Sequence, residues 1–177
     1  MDNLPEGSKK VVMPLRFSIN LQQGIYNTNE INKKFDHKNR LDKKDLVMLP
    51  VLECDNVNDR EGGKHYWVFN INLRDGRFEV LDSNRKLEDI ELMDTASTIV
   101  GASIEHFQLI DIDVPKQISN NECGLFALFN ATEWNGSLLP NYDPKEDLNL
   151  RKKLAYDWVT SPHNSAPWRK VLRFEKD

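Results

Sequence analysis

The chain has 177 residues, 39% apolar and 29% charged, with a formal net charge of −4 and an isoelectric point near 5.6. A single domain over residues 1–177 is expected, able to bury roughly 70% of its unfolded surface and so to fold without disulfides or metals. The acidic balance argues against nucleic acid as the primary partner. No stretch nears the roughly 18 apolar residues of a membrane span, and MDNLPEGSKK lacks the apolar segment of a secretory signal, so a nuclear or cytoplasmic location is expected.

Residues 1–40 read as largely irregular, with Val11-Val12-Met13-Pro14-Leu15 a short strand that Pro14 confines to a sheet edge. Residues 28–41 suggest a polar helix capped by Thr28 or Asn29. The apolar run from Leu46 to Leu52 predicts a buried strand, and residues 53–64 a polar loop. Two strands, Tyr66 to Leu73 and Arg77 to Leu81, flank Asp75-Gly76, a strong hairpin signal. Residues 87–106 carry helical periodicity despite Gly101. Phe107 to Val114 alternates like a strand, which Pro115 ends. Residues 123–134, CGLFALFNATEW, predict an apolar helix that Asn120 or Asn121 would cap. Two further helices are expected near 145–160 and 165–174. The fold class is α+β, with a central, largely antiparallel sheet flanked by helices.

Four residues carry the chemistry. Cys123 falls at the start of its helix, where unpaired N–H groups and the positive dipole end favour a thiolate, and Gly124 leaves space for substrate beside the sulfur. His65 begins the first hairpin strand and Asp82 ends the second, 17 residues later. Antiparallel pairing brings such ends together, so a base and the carboxylate that orients it meet through local geometry. Gln117, 6 residues before Cys123, would be an amide donor to an oxyanion, a contribution worth roughly 100- to 1000-fold in rate. Each residue alone has an ordinary structural reading; together they supply nucleophile, base, orienting group and oxyanion donor.

Other residues offer less. A disulfide between Cys54 and Cys123 is not expected, and Cys54, beside Asp55, is read as structural. His37, His106 and His163 have no metal-ligand spacing. The sequons at Asn130 and Asn135 are read as chance. The basic clusters Lys33-Lys34 and Arg151-Lys152-Lys153 are read as solvated helix faces.

The set His65, Trp67, Asp82-Ser83, Gln117 and Cys123-Gly124 resembles the ubiquitin-like protein proteases, commonly SUMO proteases, related to the adenovirus protease. The resemblance covers roughly residues 45–160 and is nearest to plant, transposon-type versions. It implies a papain-like or adenain-like cysteine protease fold, a triad of Cys123, His65 and Asp82, and an oxyanion hole lined by Gln117. It also implies cleavage after the C-terminal Gly-Gly of a ubiquitin-like modifier, with that modifier and its conjugates as partners and no cofactor. Tyr66, Trp67 and Gly124 are the implied substrate-binding residues. The sequence departs from the family where Tyr66 separates His65 from Trp67, where Glu122 replaces an aspartate, and where Ser119 replaces an asparagine. The N-terminal Trp-Leu-Asn-like segment is absent. Two other functions are open on these residues: a binding module without turnover, and a cysteine-dependent acetyltransferase.

Overall fold

The computed structural model describes residues 9–25, 43–54, 63–84, 107–119, 121–142, 147–162, 164 and 167. The helices expected over 28–41, 87–106 and 165–174 lie outside them, apart from residue 167. Strand β1 (Lys10–Val12) leads into helix α1 (Leu15–Gln22), followed by β2 (Leu46–Cys54), β3 (Gly63–Asn72), β4 (Arg77–Leu81), β5 (Gln108–Asp111), helix α2 (Cys123–Glu133) and helix α3 (Asp147–Thr160). The five strands form one sheet in sequence order. Its centre is antiparallel, β2 against β3 and β3 against β4, whereas the outer strands β1 and β5 pair in parallel. The sheet is therefore mixed, with the expected antiparallel pairing confined to its middle. The chain divides into two compact units, residues 1–141 and 142–177. The sheet, α1 and α2 belong to the first.

Both faces of the sheet are covered, which explains the unbroken apolar run of β2. One face carries Val47, Leu49, Val51, Trp67, Phe69, Ile71 and Phe78 against Phe17 and Leu21 of α1. The other carries Leu46, Met48, Val68 and Leu81 against Ala127, Ala131 and Trp134 from α2 and its end. Pro50 sits inside β2 without cost for a readable reason. The Met13 N–H donates to the Met48 carbonyl at 2.8 Å, so even-numbered residues of β2 aim their backbone groups toward β1. That strand stops at Val12, opposite Met48. Pro50 lies beyond its end, where no ladder bond is lost.

The β3–β4 hairpin closes through a four-residue turn, 73–76, since Asn72 pairs with Arg77. Asp75-Gly76 forms the second half of that turn and not a two-residue loop. Gly76 alone supplies positive φ, at 63°, and the Asp75 N–H is held by Asn72 Oδ1 at 3.0 Å. β5 is shorter than the alternation of 107–114 suggested. The first sequon residue, Asn130, is fully buried on α2. Asn135 of the second is exposed, and its Oδ1 accepts the N–H groups of Ser137 and Leu138, both at 2.9 Å.

A buried carboxylate fastens α2 to the hairpin. Glu79, wholly inaccessible, lies on the face that α2 covers. Its Oε2 accepts from Asn70 Nδ2 at 2.7 Å and from Trp134 Nε1 at 2.6 Å. Its Oε1 accepts from Asn72 Nδ2 at 2.8 Å and pairs with Arg77 Nε at 2.6 Å. Arg77 also donates to the Gly136 carbonyl at 3.0 Å. Lys10 Nζ donates to the carbonyls of Thr132 and, at 3.0 Å, of Trp134; burial holds that ammonium below its ordinary pKa. The C-terminal end of α2 is thus fixed by charge-assisted bonds. Glu79→Ala would leave three neutral donors and a cation facing a void. A loss of about 3–5 kcal/mol is expected, read by denaturant unfolding; a change within about 0.5 kcal/mol would disprove the clamp.

In the second unit α3 ends on its own bonds. Thr160 Oγ1 donates to the Tyr156 carbonyl at 2.8 Å and Asn164 Nδ2 to the Val159 carbonyl at 2.9 Å. No helix among the described residues is long and apolar enough to cross a membrane.

Candidate active site

The hairpin delivers His65 to Asp82. Leu81 pairs with Val68, and continuing that register by one residue brings Asp82 level with Trp67, two positions from His65. His65 Nε2 meets Asp82 Oδ1 at 2.7 Å, with the two side chains 12% and 1% exposed. A carboxylate only accepts, so Nε2 carries the hydrogen in the neutral ring and Nδ1 holds the lone pair available to a thiol. Asp82 Oδ1 also accepts the Asn84 N–H at 2.8 Å, which fixes the carboxylate from the chain that follows it. Its Oδ2 is buried without a hydrogen-bond partner among the described residues.

Cys123 is the first residue of α2, free and buried. The sulfur therefore sits at the N-terminal end of the helix, where the helix dipole is positive. Asn120 lies outside the described residues, Asn121 is one residue too early, and the N-cap residue is Glu122, whose side chain makes no cap hydrogen bond. Its carboxylate turns backward and accepts the N–H groups of Ile118 and Ser119, both at 3.1 Å. The residue that differs from the family's aspartate therefore ties the loop carrying Gln117 to the start of α2.

Gln117 is fixed from two sides. Its N–H donates to the Ser83 carbonyl at 3.1 Å, its Oε1 accepts from Ser83 Oγ at 2.7 Å, and its Nε2 donates to the Ser119 carbonyl at 3.0 Å. Lys116 Nζ adds a bond to the Asp82 carbonyl at 3.0 Å. In the sequence Ser83 stands out only as part of the Asp82-Ser83 pair. Its contact with Gln117, 34 residues away, was not visible in the sequence. The Glu79 cluster was missed as well, although the register set by the turn makes Asn70 and Glu79 partners, a pattern that polar residues at matched positions could have revealed.

The three implied substrate-binding residues part company. A Cβ built on Gly124 would lie 3.6 Å from the Tyr66 ring, so Tyr66 stands beside the helix start. Trp67 points to the opposite face, as alternation along a strand requires. It is 4% exposed and packs edge-on to Phe69, ring centroids 6.4 Å apart. This position belongs to the core under α1 and does not suit the substrate contact expected of Trp67. Cys54 is half-buried at the end of β2 and free. Among the described residues no group of three or more His, Cys, Asp or Glu could hold a metal ion.

Comparison with known proteins bears on this arrangement. The structure is similar to the C-terminal protease domain of Ulp1 in complex with Smt3, the yeast ortholog of SUMO, with a TM-score of 0.66 at 20% identity, covering 86% of this chain and 69% of that one. It is also similar to the catalytic domain of the Chaetomium thermophilum Ulp1-like SUMO protease, at 0.61 and 17%, covering 85% and 60%. A third similar structure is the Xanthomonas campestris effector XopD bound to ubiquitin, at 0.52 and 14%, covering 88% and 81%. No curated protein matches the sequence. The fold is that of an α+β cysteine peptidase. A model of the Ulp1 protease family, C-terminal catalytic domain, matches residues 10–156, and the chain belongs to that family.

Proposed function

We propose that the chain hydrolyses the bond that follows the C-terminal Gly-Gly of a SUMO-type modifier, acting on precursors or on isopeptide conjugates. The observation that carries the reading is the 2.7 Å contact between His65 and Asp82 in a domain whose helix α2 begins with Cys123. Several of the similar structures are SUMO proteases, one of them in complex with Smt3, which supports the choice of modifier.

In this reading His65 Nδ1 takes the proton of Cys123. The sulfur attacks the carbonyl carbon of the terminal glycine; a C–S bond forms and the carbonyl electron pair moves to oxygen. Gln117 Nε2 and the Cys123 backbone N–H donate to that oxyanion. Its collapse breaks the C–N bond, and the departing amine takes the proton from His65. Water, deprotonated by His65, then attacks the thioester. The modifier leaves as a carboxylic acid, and the proton returns to the thiol.

Tyr66 and Gly124 form one side of the approach to Cys123. Gly124 has ordinary space for a Cβ and no positive φ, so the folded state itself does not demand glycine there. The need is for room beside the sulfur, which suits a substrate tail without side chains. Gly124→Ala is therefore expected to leave stability within about 0.5 kcal/mol while lowering kcat/KM at least about tenfold. Thermal unfolding together with steady-state kinetics checks both halves.

The proposal is tested with C-terminal fluorogenic substrates built on SUMO-type and ubiquitin-type proteins, with a Gly-Gly peptide as control. Preferential turnover of the SUMO-type substrate is expected. Binding of the intact modifier without hydrolysis of any of the three would reduce the domain to a binding module.

A further inference from the structure

We infer that Ser83 is a positioning residue that holds Gln117 in its oxyanion-binding orientation, so that the adjacent pair Asp82-Ser83 aligns both the base and the oxyanion donor. The inference rests on the cysteine peptidase mechanism proposed above and adds a residue to which that mechanism gave no role.

A glutamine side chain reads almost the same in either amide orientation, yet only its Nε2 can stabilise an oxyanion. Here the chemistry of the partners decides. The Ser119 carbonyl can only accept, so the amide atom facing it at 3.0 Å must be Nε2. The Ser83 hydroxyl, 2.7 Å from the other amide atom, then donates to Oε1. Nε2 carries two hydrogens, and Ser119 is its acceptor among the described residues. The second hydrogen is the one an oxyanion would take. Without the Ser83 hydroxyl, only the Ser119 carbonyl would hold the amide, and in the flipped orientation it would present an oxygen lone pair to a developing negative charge.

The surroundings make Ser83 a firm anchor. It is 2% exposed and lies two residues past the end of β4. Its carbonyl accepts the Gln117 N–H at 3.1 Å, so it grips the main chain and the side chain of the same residue. Asp82 turns to His65 while the next residue turns to Gln117. One step of chain therefore sets the geometry at two separate points of the reaction.

The test is a double-mutant cycle on the full chain, with kcat, KM and thermal stability measured on a SUMO-type fluorogenic substrate and Cys123 alkylation by iodoacetamide as a second readout. Ser83→Ala is expected to lower kcat about tenfold with KM nearly unchanged. Ser83→Thr, which keeps the hydroxyl, should restore most of the rate. In a Gln117→Ala background, Ser83→Ala should cost nothing further. Alkylation, which forms no oxyanion, should proceed at the wild-type rate in Ser83→Ala. Equal losses in the wild-type and Gln117→Ala backgrounds would overturn the inference, as would a fall in alkylation matching the fall in kcat. If Ser83→Ala does not fold, the comparison of Ser83→Thr with Ser83→Cys stands in for it, and equal rates for those two would overturn the inference. A wild-type chain that hydrolyses no ubiquitin-like substrate defeats the proposed function itself. An active wild type with additive losses defeats only the role of Ser83.

Discussion

Cys123→Ala is expected to lower kcat by five to six orders of magnitude, to about the level left by binding and the oxyanion donors alone. The size follows from the position of the residue. Cys123 opens α2, where the helix dipole favours negative charge on sulfur. The Glu79 and Lys10 clamps secure the other end of the same helix, about 16 Å away at 1.5 Å per residue. Cys123 is thus carried by a rod fixed to the hairpin that carries His65 and Asp82. Alanine removes the sulfur and leaves the rod intact, so folding and modifier binding should survive while turnover disappears. Single-turnover kinetics with a fluorogenic substrate measures the loss. Cys54→Ala, at the end of β2 one residue past the partner of His65 but with no role in the proposed mechanism, should retain wild-type turnover.

Asp82→Ala is expected to cost about 10⁴-fold in kcat, less than loss of the nucleophile but far more than a stability effect would give. In the proposed mechanism Asp82 does two things at once. It accepts Nε2–H from His65 and so keeps the lone pair on Nδ1. Its charge also stabilises the imidazolium formed when the thiol gives up its proton. Alanine removes both. Asp82→Asn keeps an oxygen that can accept from Nε2–H and from the Asn84 N–H, so it retains the tautomer and loses only the charge. The asparagine variant should therefore fall between alanine and wild type. Equal activity of Asp82→Ala and wild type, with folding unchanged, would remove Asp82 from the mechanism.

The parts legible in the sequence were those set by local rules. Asp75-Gly76 marked the hairpin, and the hairpin's ends located His65 and Asp82. Cys123 was correctly placed at a helix start because the apolar run begins there. Trp67 shows the limit of matching a motif by residue type. Inserting Tyr66 moves the tryptophan to the other face of the strand, and alternation overrides the motif. Helix α1 went unread because Leu15, Phe17, Ile19 and Leu21 alternate as a strand would. Pro14, at φ −60° and ψ 141°, supplies the turn into a helix that buries Phe17 and Leu21, one turn apart. The Glu79–Trp134 and Ser83–Gln117 contacts were hidden for a different reason. They span 55 and 34 residues, so only the packed structure brings them together.

The central claim is that Cys123, activated by His65 and Asp82, attacks the C-terminal glycine carbonyl of a ubiquitin-like modifier. The most direct measurement is intact-mass analysis after incubation with a SUMO-type protein carrying a C-terminal vinyl sulfone. One adduct per chain is predicted, mapped to Cys123, absent from Cys123→Ala and unchanged in Cys54→Ala. A chain whose thiols react with a small maleimide but form no adduct with the modifier probe, or one that forms its adduct at Cys54, would contradict the account.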